Sequence, residues 1–444
     1  MRNEGETGGK KFSELAIKYS KEYQGKIQTM LKVPVRSLED FSVWYTPGVA
    51  AASLEIAKDK ELSFDMTWRW NTVAIVTDGT RVLGLGNVGP EASLPVMEGK
   101  ALIFKYLGGV DAIPIPINVH EKEQIASIVK AIEPAFGGIN LEDIESPKCF
   151  YLLETLRKEM NIPVWHDDQL GTAGATLAGL LNALKLTGRN ERDTKIVVMG
   201  SGAANIATIK LFESAGFDIG NIIAVDSHGV LHPEREDMDV LMKDNPWKYD
   251  LGIRTNRKRI TGDIQNALEG ADVLIAASKP GPGTIKGEWI KKMEKRAIVF
   301  ALANPVPEIW PSEAKENGAE IVGTGRSDFP NQVNNSLVFP GVFRGALDAR
   351  VRKISEPMIV RASRELALFA EEKGLTEDYI LPTMQEWEVF PRIAAAIAEE
   401  GVKENLARVK MSKNEYYERA KKIISSNREM IEKMMDENLI KKVK

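Results

Sequence analysis

The chain has one cysteine, Cys149, and four histidines in 444 residues. A single thiol cannot close an intrachain disulfide, so the fold must stand on its core, as expected in a reducing cytoplasm. Within SPKCFYLLETL, Cys149 reads as a small buried hydrophobe rather than a nucleophile. The histidines His120, His228 and His232 are too scattered for a zinc site, and His166 reads as structural. Long apolar runs are also missing. The uncharged stretch Gln169 to Leu184 is broken by Thr and Asn and is shorter than the roughly 20 residues a bilayer span needs. The charged opening, MRNEGETGGKKFSELAIKYS, has no apolar segment of the signal-peptide kind. Neither sign of charge dominates, with 59 basic and 63 acidic residues, so no strong field points to nucleic acid or anionic lipid. No repeat or low-complexity tract is present. These absences describe a cytoplasmic protein with neither a nucleic-acid nor a membrane partner.

What is there is an ordinary enzyme-like composition, 43% hydrophobic and 27% charged, in a chain long enough for two or three domains. Residues 11–32 read as a helix. TVAIVTDGTRVLGLG reads as two short strands about an Asp-Gly turn. A helix over EASLPVMEGKALIFKYLG, a strand over VDAIPIPINV, a loop over GGINLEDIESPK and a strand at NIPVWHDD follow. Beyond HDD the alternation resumes with KIVVMG, SGAANIATIKLFESAG, NIIAVD, ADVLIAAS and AIVFALAN, the apolar runs suiting buried parallel strands. From Pro340 onward the pattern is helical and ends in a charged amphipathic segment suited to a surface or a partner chain. The expected fold class is α/β: an N-terminal α/β substrate domain (1–165), a Rossmann-type doubly wound parallel-sheet domain (166–340) and a C-terminal helical extension (341–444).

Two stretches carry the glycine spacing of a dinucleotide site. GLGNVG (Gly84, Gly86, Gly89) matches it fully, but no acidic residue closes the next strand. GSGAAN has Gly200 and Gly202, with Asn205 in place of the third glycine. It follows a strand, opens a helix, and is followed by a strand ending at Asp226. That context assigns the coenzyme to Gly200, Ser201, Gly202, Ala203, Ala204, Asn205 and Asp226, the pyrophosphate lying at the helix N-terminus. GLGNVG then reads as a tight turn near a ligand, and Asn205 as a sign of looser helix–strand packing. Asp226 favours NAD, because a carboxylate repels a 2′-phosphate. A neighbouring cation near Ser227 and His228 would offset that repulsion and admit NADP.

Glu142 and Asp143 in NLEDIES, with Asp168 in HDDQLGTAGAT, offer three carboxylates of the kind a hard cation such as Mg²⁺ or Mn²⁺ takes. The spacing alone leaves other readings open. The first two also suit loop charges, and Asp167 or Asp168 also suits a helix N-cap.

Six ordered segments go further: YTPGVA, VTDGTRVLGLGNVGPEASLPVMEGKA, FGGINLEDI, HDDQLGTAGAT, ALANPVPE and NNSLVFPG. From about Phe41 to Pro340 the chain resembles the malic enzymes, in particular the shorter bacterial and archaeal type. The resemblance implies oxidative decarboxylation of L-malate to pyruvate and CO₂ with reduction of NAD or NADP, a Mg²⁺ or Mn²⁺ ion, and a homodimer. It further implies Glu142, Asp143 and Asp168 as metal ligands, Lys100 as general base, Tyr45 as general acid and Asp167 as the partner that tunes the lysine. Arg81 would hold a substrate carboxylate, helped by Asn304 (also beside the coenzyme) and by Asn335 or Asn334. Leu170 departs from the histidine that relatives often carry there. The residues after Pro340 resemble the family less specifically. Two enzymatic rivals are a malolactic-type lyase, which would make lactate, and an amino-acid dehydrogenase, which needs no metal. A third is a catalytically silent nucleotide-binding regulator.

Overall fold

The structure, a computed structural model, describes residues 2–442. Two sheets organise it. The first has four parallel strands in the order β2-β1-β3-β4: β1 (Thr72–Thr77), β2 (Asp111–Pro116), β3 (Gly138–Leu141) and β4 (Val164–His166). Every residue of β1, β3 and β4 is buried, as expected of a parallel sheet covered on both faces. The second has six strands in the order β10-β9-β8-β5-β6-β7: β5 (Ile196–Met199), β6 (Ile222–Asp226), β7 (Gly229–Val230), β8 (Val273–Ala276), β9 (Ala297–Ala301) and β10 (Ala319–Thr324). Only β7 runs antiparallel, against β6. From β5 the chain passes to β6 on one side, while β8 flanks the other. The crevice at this topological switch point is where doubly wound sheets hold ligands, at the C-terminal ends of the strands.

The helix Asp167–Thr187 joins the two units. It begins directly after β4 and packs along the helices Ala203–Ala215 and Glu356–Lys373. Its small residues allow this closeness: a methyl group on Gly174 would already touch Val338. The C-terminal helices close over both units. Phe339–Asp348 lies on Pro90–Gly108 and on Val389–Lys403, and Lys413–Asp436 packs on these last two. Its apolar side buries Tyr416, Ala420 and Ile424, so the charged tail segment covers this chain's own core.

Several local expectations change. Only the first half of TVAIVTDGTRVLGLG is a strand; the rest is a loop pinched by a lone bridge between Val82 and Gly86. The presumed loop over GGINLEDIESPK contains β3, a strand too short to show alternation. The first helix runs Arg2–Tyr23, and residues 27–35 are irregular.

The segment from Ile27 to Trp68 is unusual in its exposure. The helices Leu38–Trp44 and Val49–Lys58 bury none of their residues, and Leu31, Leu38, Phe41, Trp44, Leu54 and Trp68 all face outward. Large apolar side chains left exposed in such number along one segment mark a surface suited to an interaction. Among the described residues no helix is long and apolar enough to cross a membrane.

Candidate active site

The C-terminal ends of β3 and β4 place the carboxylates. Leu141 ends β3, so Glu142 and Asp143 follow at its tip, while β4 ends at His166 and releases Asp167 and Asp168 into the first turn of the long helix. Glu142, Asp143 and Asp168 present oxygens that all lie within 4.8 Å of one another. Their orientations are fixed. Asn140 donates to Glu142 Oε2 at 2.8 Å. The Leu83 N–H reaches Asp143 Oδ1 at 3.2 Å, and the Asp143 N–H reaches Asp168 Oδ2 at 2.9 Å.

Three acceptor-only groups at this spacing repel one another. Burial, with Asp168 beside it, pushes the Asp143 carboxyl up to about 8. Burial also raises Glu142 well above the usual range, and Lys100 offsets this only in part. Asp143 Oδ2 is buried without a hydrogen-bond partner among the described residues. An orphaned acceptor amid crowded carboxylates is the donor set of a hard divalent cation, so these residues fit Mg²⁺ or Mn²⁺. Asp168 was open to being a cap or a ligand; here its side chain joins the triad.

Lys100 rises from the helix Pro90–Gly108 into the same space, only 9% exposed. Its Nζ lies 2.5 Å from Asp167 Oδ2 and 2.8 Å from Glu142 Oε1. The face of the Phe339 ring lies 4.6 Å away. Burial alone would lower the ammonium, but Asp167 and Glu142 outweigh it and hold the group above the ordinary lysine range. Asp167 is fully buried and also accepts from Trp165 Nε1 at 2.9 Å, so its carboxylate faces the lysine in one orientation. The structure brings the expected lysine and carboxylates together and adds Phe339, Trp165 and Asn140, which the sequence did not single out. Each reads locally as core, and only the fold turns it toward the site. His166 is fully buried, and neither ring nitrogen has a hydrogen-bond partner among the described residues. Its Nδ1 is 3.8 Å from Asp168 Oδ2.

The loop after β1 brings Arg81 to the rim. Its N–H donates to the Asp143 carbonyl at 3.0 Å, and its side chain is exposed. Gly84 of the same loop sits where a Cβ would lie 2.2 Å from the Asn304 carbonyl oxygen, so only glycine permits this meeting of the two units. The two asparagines in VNNS separate. Asn334 is committed to the backbone, accepting from the Ser336 N–H at 3.0 Å and donating to Gly325 O. Asn335 packs against Gly171, one turn beyond Asp167, which places it beside the lysine–carboxylate cluster.

Tyr45 does not join this group. Its side chain is 72% exposed, makes no hydrogen bond among the described residues, and lies within the open N-terminal surface.

At the second sheet, Gly200 turns the chain out of β5 with φ at +93°, and a Cβ there would lie 2.5 Å from the Ala277 carbonyl oxygen. The helix Ala203–Ala215 follows with no side-chain cap, leaving its first N–H groups free for an anion. Asn205 does not loosen the packing as its sequence position suggests. Its Nδ2 clamps the turn by donating to Met199 O at 2.9 Å and Gly200 O at 2.8 Å. Asp226 ends β6 as expected, but it is not free. Arg235 grips it with Nη1 at 2.9 Å and Nη2 at 3.1 Å, Lys248 pairs with it, and the His228 N–H donates to it. Burial would raise this carboxyl, but Arg235 and Lys248 outweigh that and hold it below the usual range. The offsetting cations are therefore these two rather than the His228 ring. They lie 9 and 22 positions downstream, where no local motif flags them.

A glycine turn opening a helix on a doubly wound sheet, together with a lysine–carboxylate cluster that fits a divalent cation, is the equipment of a metal-dependent nicotinamide-nucleotide oxidoreductase. Residues 24–157 match the malic enzyme N-terminal domain and residues 170–402 the malic enzyme NAD binding domain, and the chain belongs to the malic enzyme family. It is 46% identical over 410 residues to the bifunctional malic/malolactic enzyme of Bacillus subtilis, covering 92% of this chain and 98% of that one. It is 47% identical over 384 residues to the NAD-dependent malic enzyme of Geobacillus stearothermophilus, covering 86% and 78%. The crystal structure of Entamoeba histolytica malic enzyme superposes with a TM-score of 0.95 at 45% identity, covering 98% of this chain and 90% of that one.

Proposed function

We propose that this protein oxidatively decarboxylates L-malate to pyruvate and CO₂ while reducing NAD or NADP. The observation that carries the reading is the contact of Lys100 Nζ with Asp167 and Glu142 at the edge of the carboxylate triad. A divalent cation held by Glu142, Asp143 and Asp168 would supply the positive charge that steadies an enolate oxygen as CO₂ leaves. A nicotinamide coenzyme held at the Gly200–Asn205 turn would take up the hydride of malate C2, and the C2 hydroxyl gives up its proton. Lys100 takes that proton, and to act as a base it must first release its own. Asp167, 2.5 Å away, is the acceptor the geometry offers. Arg81 binds a substrate carboxylate through its planar fork, and Asn335 and Asn304 line the space between the units. Tyr45 returns a proton to C3 of the enol.

For Tyr45 to do this it must arrive from elsewhere. The open apolar surface around it supports a homodimer in which each N-terminal segment delivers its tyrosine to the neighbouring protomer's site. The single buried cysteine and the absence of a membrane-crossing helix among the described residues suit a cytoplasmic enzyme.

Purified protein with malate and Mn²⁺ should accumulate reduced NAD or NADP by absorbance at 340 nm and stop on adding EDTA. Turnover that survives chelation refutes the reading. The name of the Bacillus subtilis relative favours a secondary malolactic reaction, which would appear as lactate without net reduced coenzyme.

A further inference from the structure

At the opposite end of the first sheet, three guanidinium groups surround one phenyl ring. Arg69, Arg350 and Arg408 lie 4.1, 5.5 and 5.8 Å from the centroid of Phe64, which is itself buried. Arg69 and Arg408 border a cavity of about 750 Å³ that Lys60 and Arg352 also line. Arg69 stands just before β1 and donates to the Phe136 carbonyl just before β3, at 3.0 Å. The metal triad lies beyond the far ends of the same strands, so roughly 20 Å of sheet separates the two places.

The charges in this cavity do not cancel. Arg350 is matched by Asp65. Arg69 spends its donors on the Phe136 carbonyl and the Ser63 hydroxyl, and Arg408 donates to the Asn161 carbonyl at 2.8 Å. Carbonyls and hydroxyls satisfy N–H groups without neutralising a cation. The carboxylates that face the cavity are Glu61, 3.7 Å from Arg408, and Glu133. Arg352 is exposed and has no side-chain partner among the described residues. Four cations against two carboxylates leave a surplus positive charge in a concave, partly desolvated space. Burial, with the arginines acting on one another, lowers both Arg69 and Arg408. A guanidinium in that state gains from a charged acceptor more than a solvated one does.

We propose that this arginine cavity is a second binding site, for a small polyanion bearing two or more carboxylate or phosphate groups. The volume is ample for a metabolite of that size, and the planar forks suit the oxygens of either group. The aromatic floor holds the arginines in place, so little ordering is needed on binding.

Isothermal titration in metal-free, low-salt buffer, with citrate and separately with pyrophosphate, tests this. At least one should bind, and the tighter of the two tells carboxylate from phosphate recognition. Arg352→Ala removes an exposed side chain without threatening the fold, and Arg408→Gln keeps a donor for the Asn161 carbonyl. Each should weaken binding by about tenfold or more, as expected for a lost charge-assisted contact, while Arg81→Ala at the active site leaves it unchanged. The proposal is overturned if neither anion binds, if binding survives the Arg352→Ala, Arg408→Gln pair, or if Arg81→Ala abolishes it.

Discussion

Lys100 and Asp167, 67 positions apart in sequence, meet at 2.5 Å in a space almost closed to solvent. Each explains the other's burial, since a lone ammonium or carboxylate there would carry an uncompensated desolvation cost. Replacing Lys100 with Ala therefore has two expected effects. Turnover falls by about 10²-fold or more, the scale of a lost general base, while the coenzyme dissociation constant, read by nucleotide fluorescence, stays within a factor of about two to three, the context scatter of a remote site. The melting temperature also falls, because Asp167 keeps only Trp165 as a partner. Full activity in this variant would remove the lysine from the mechanism.

How much of this was legible beforehand differs by element. The β5–turn–helix–β6 unit could be read because its glycines and closing aspartate sit within one local stretch. The triad could be read only through ordered motifs, since nothing in NLEDIES or HDD alone separates a ligand from a cap. β3 was hidden because four fully buried residues show no alternation. Arg235 and Lys248 were hidden because their partnership with Asp226 depends on how the chain returns after β7. Tyr45 was assigned by motif, yet it lies on open surface, 72% exposed, and no sequence pattern states where on the surface a motif residue comes to rest.

The triad predicts a specific division between fold and metal. Asp168 is the most accessible of the three, its side chain 33% exposed at the start of a helix whose packing lies further along. Asp168→Asn keeps the shape and removes one charge. Titration with Mn²⁺ should show affinity weakened by about tenfold or more, on the scale of a charge-assisted contact, with the circular dichroism spectrum unchanged. Unaltered Mn²⁺ binding would take Asp168 out of the ligand set.

The grip of Arg235 and Lys248 on Asp226 bears on coenzyme choice. A free carboxylate at this position would accept the ribose hydroxyls of NAD and repel a 2′-phosphate. Here its charge is already matched by two cations, so the repulsion is muted and both coenzymes should be reduced. Lys248→Ala removes one of the cations. The kcat/KM for NADP should then fall by about tenfold, the worth of a charge-assisted contact, and that for NAD by much less. Equal losses with the two coenzymes would mean that Lys248 shapes the pocket without reading the phosphate.

The exposed Tyr45 and the buried Lys100 allow a decisive mixing experiment. In a dimer whose tyrosine crosses over, a protomer with Tyr45→Phe keeps its lysine and needs its partner's tyrosine. A protomer with Lys100→Ala keeps a tyrosine it can lend. Each homodimer is inactive, yet the mixed dimer contains one complete site. Unfolding and refolding the two variants together at equal amounts should restore about a quarter of wild-type activity, from half the dimers carrying one of two sites. If both residues act within one protomer, every site in the mixture lacks one of them and activity stays at the level of the separate variants. Light scattering on the wild type checks the premise, and Trp44→Asp, placed in the open apolar surface next to Tyr45, should yield monomers that have lost turnover while retaining nucleotide binding. A monomeric wild type with full activity would show instead that the N-terminal segment folds back to deliver its own tyrosine.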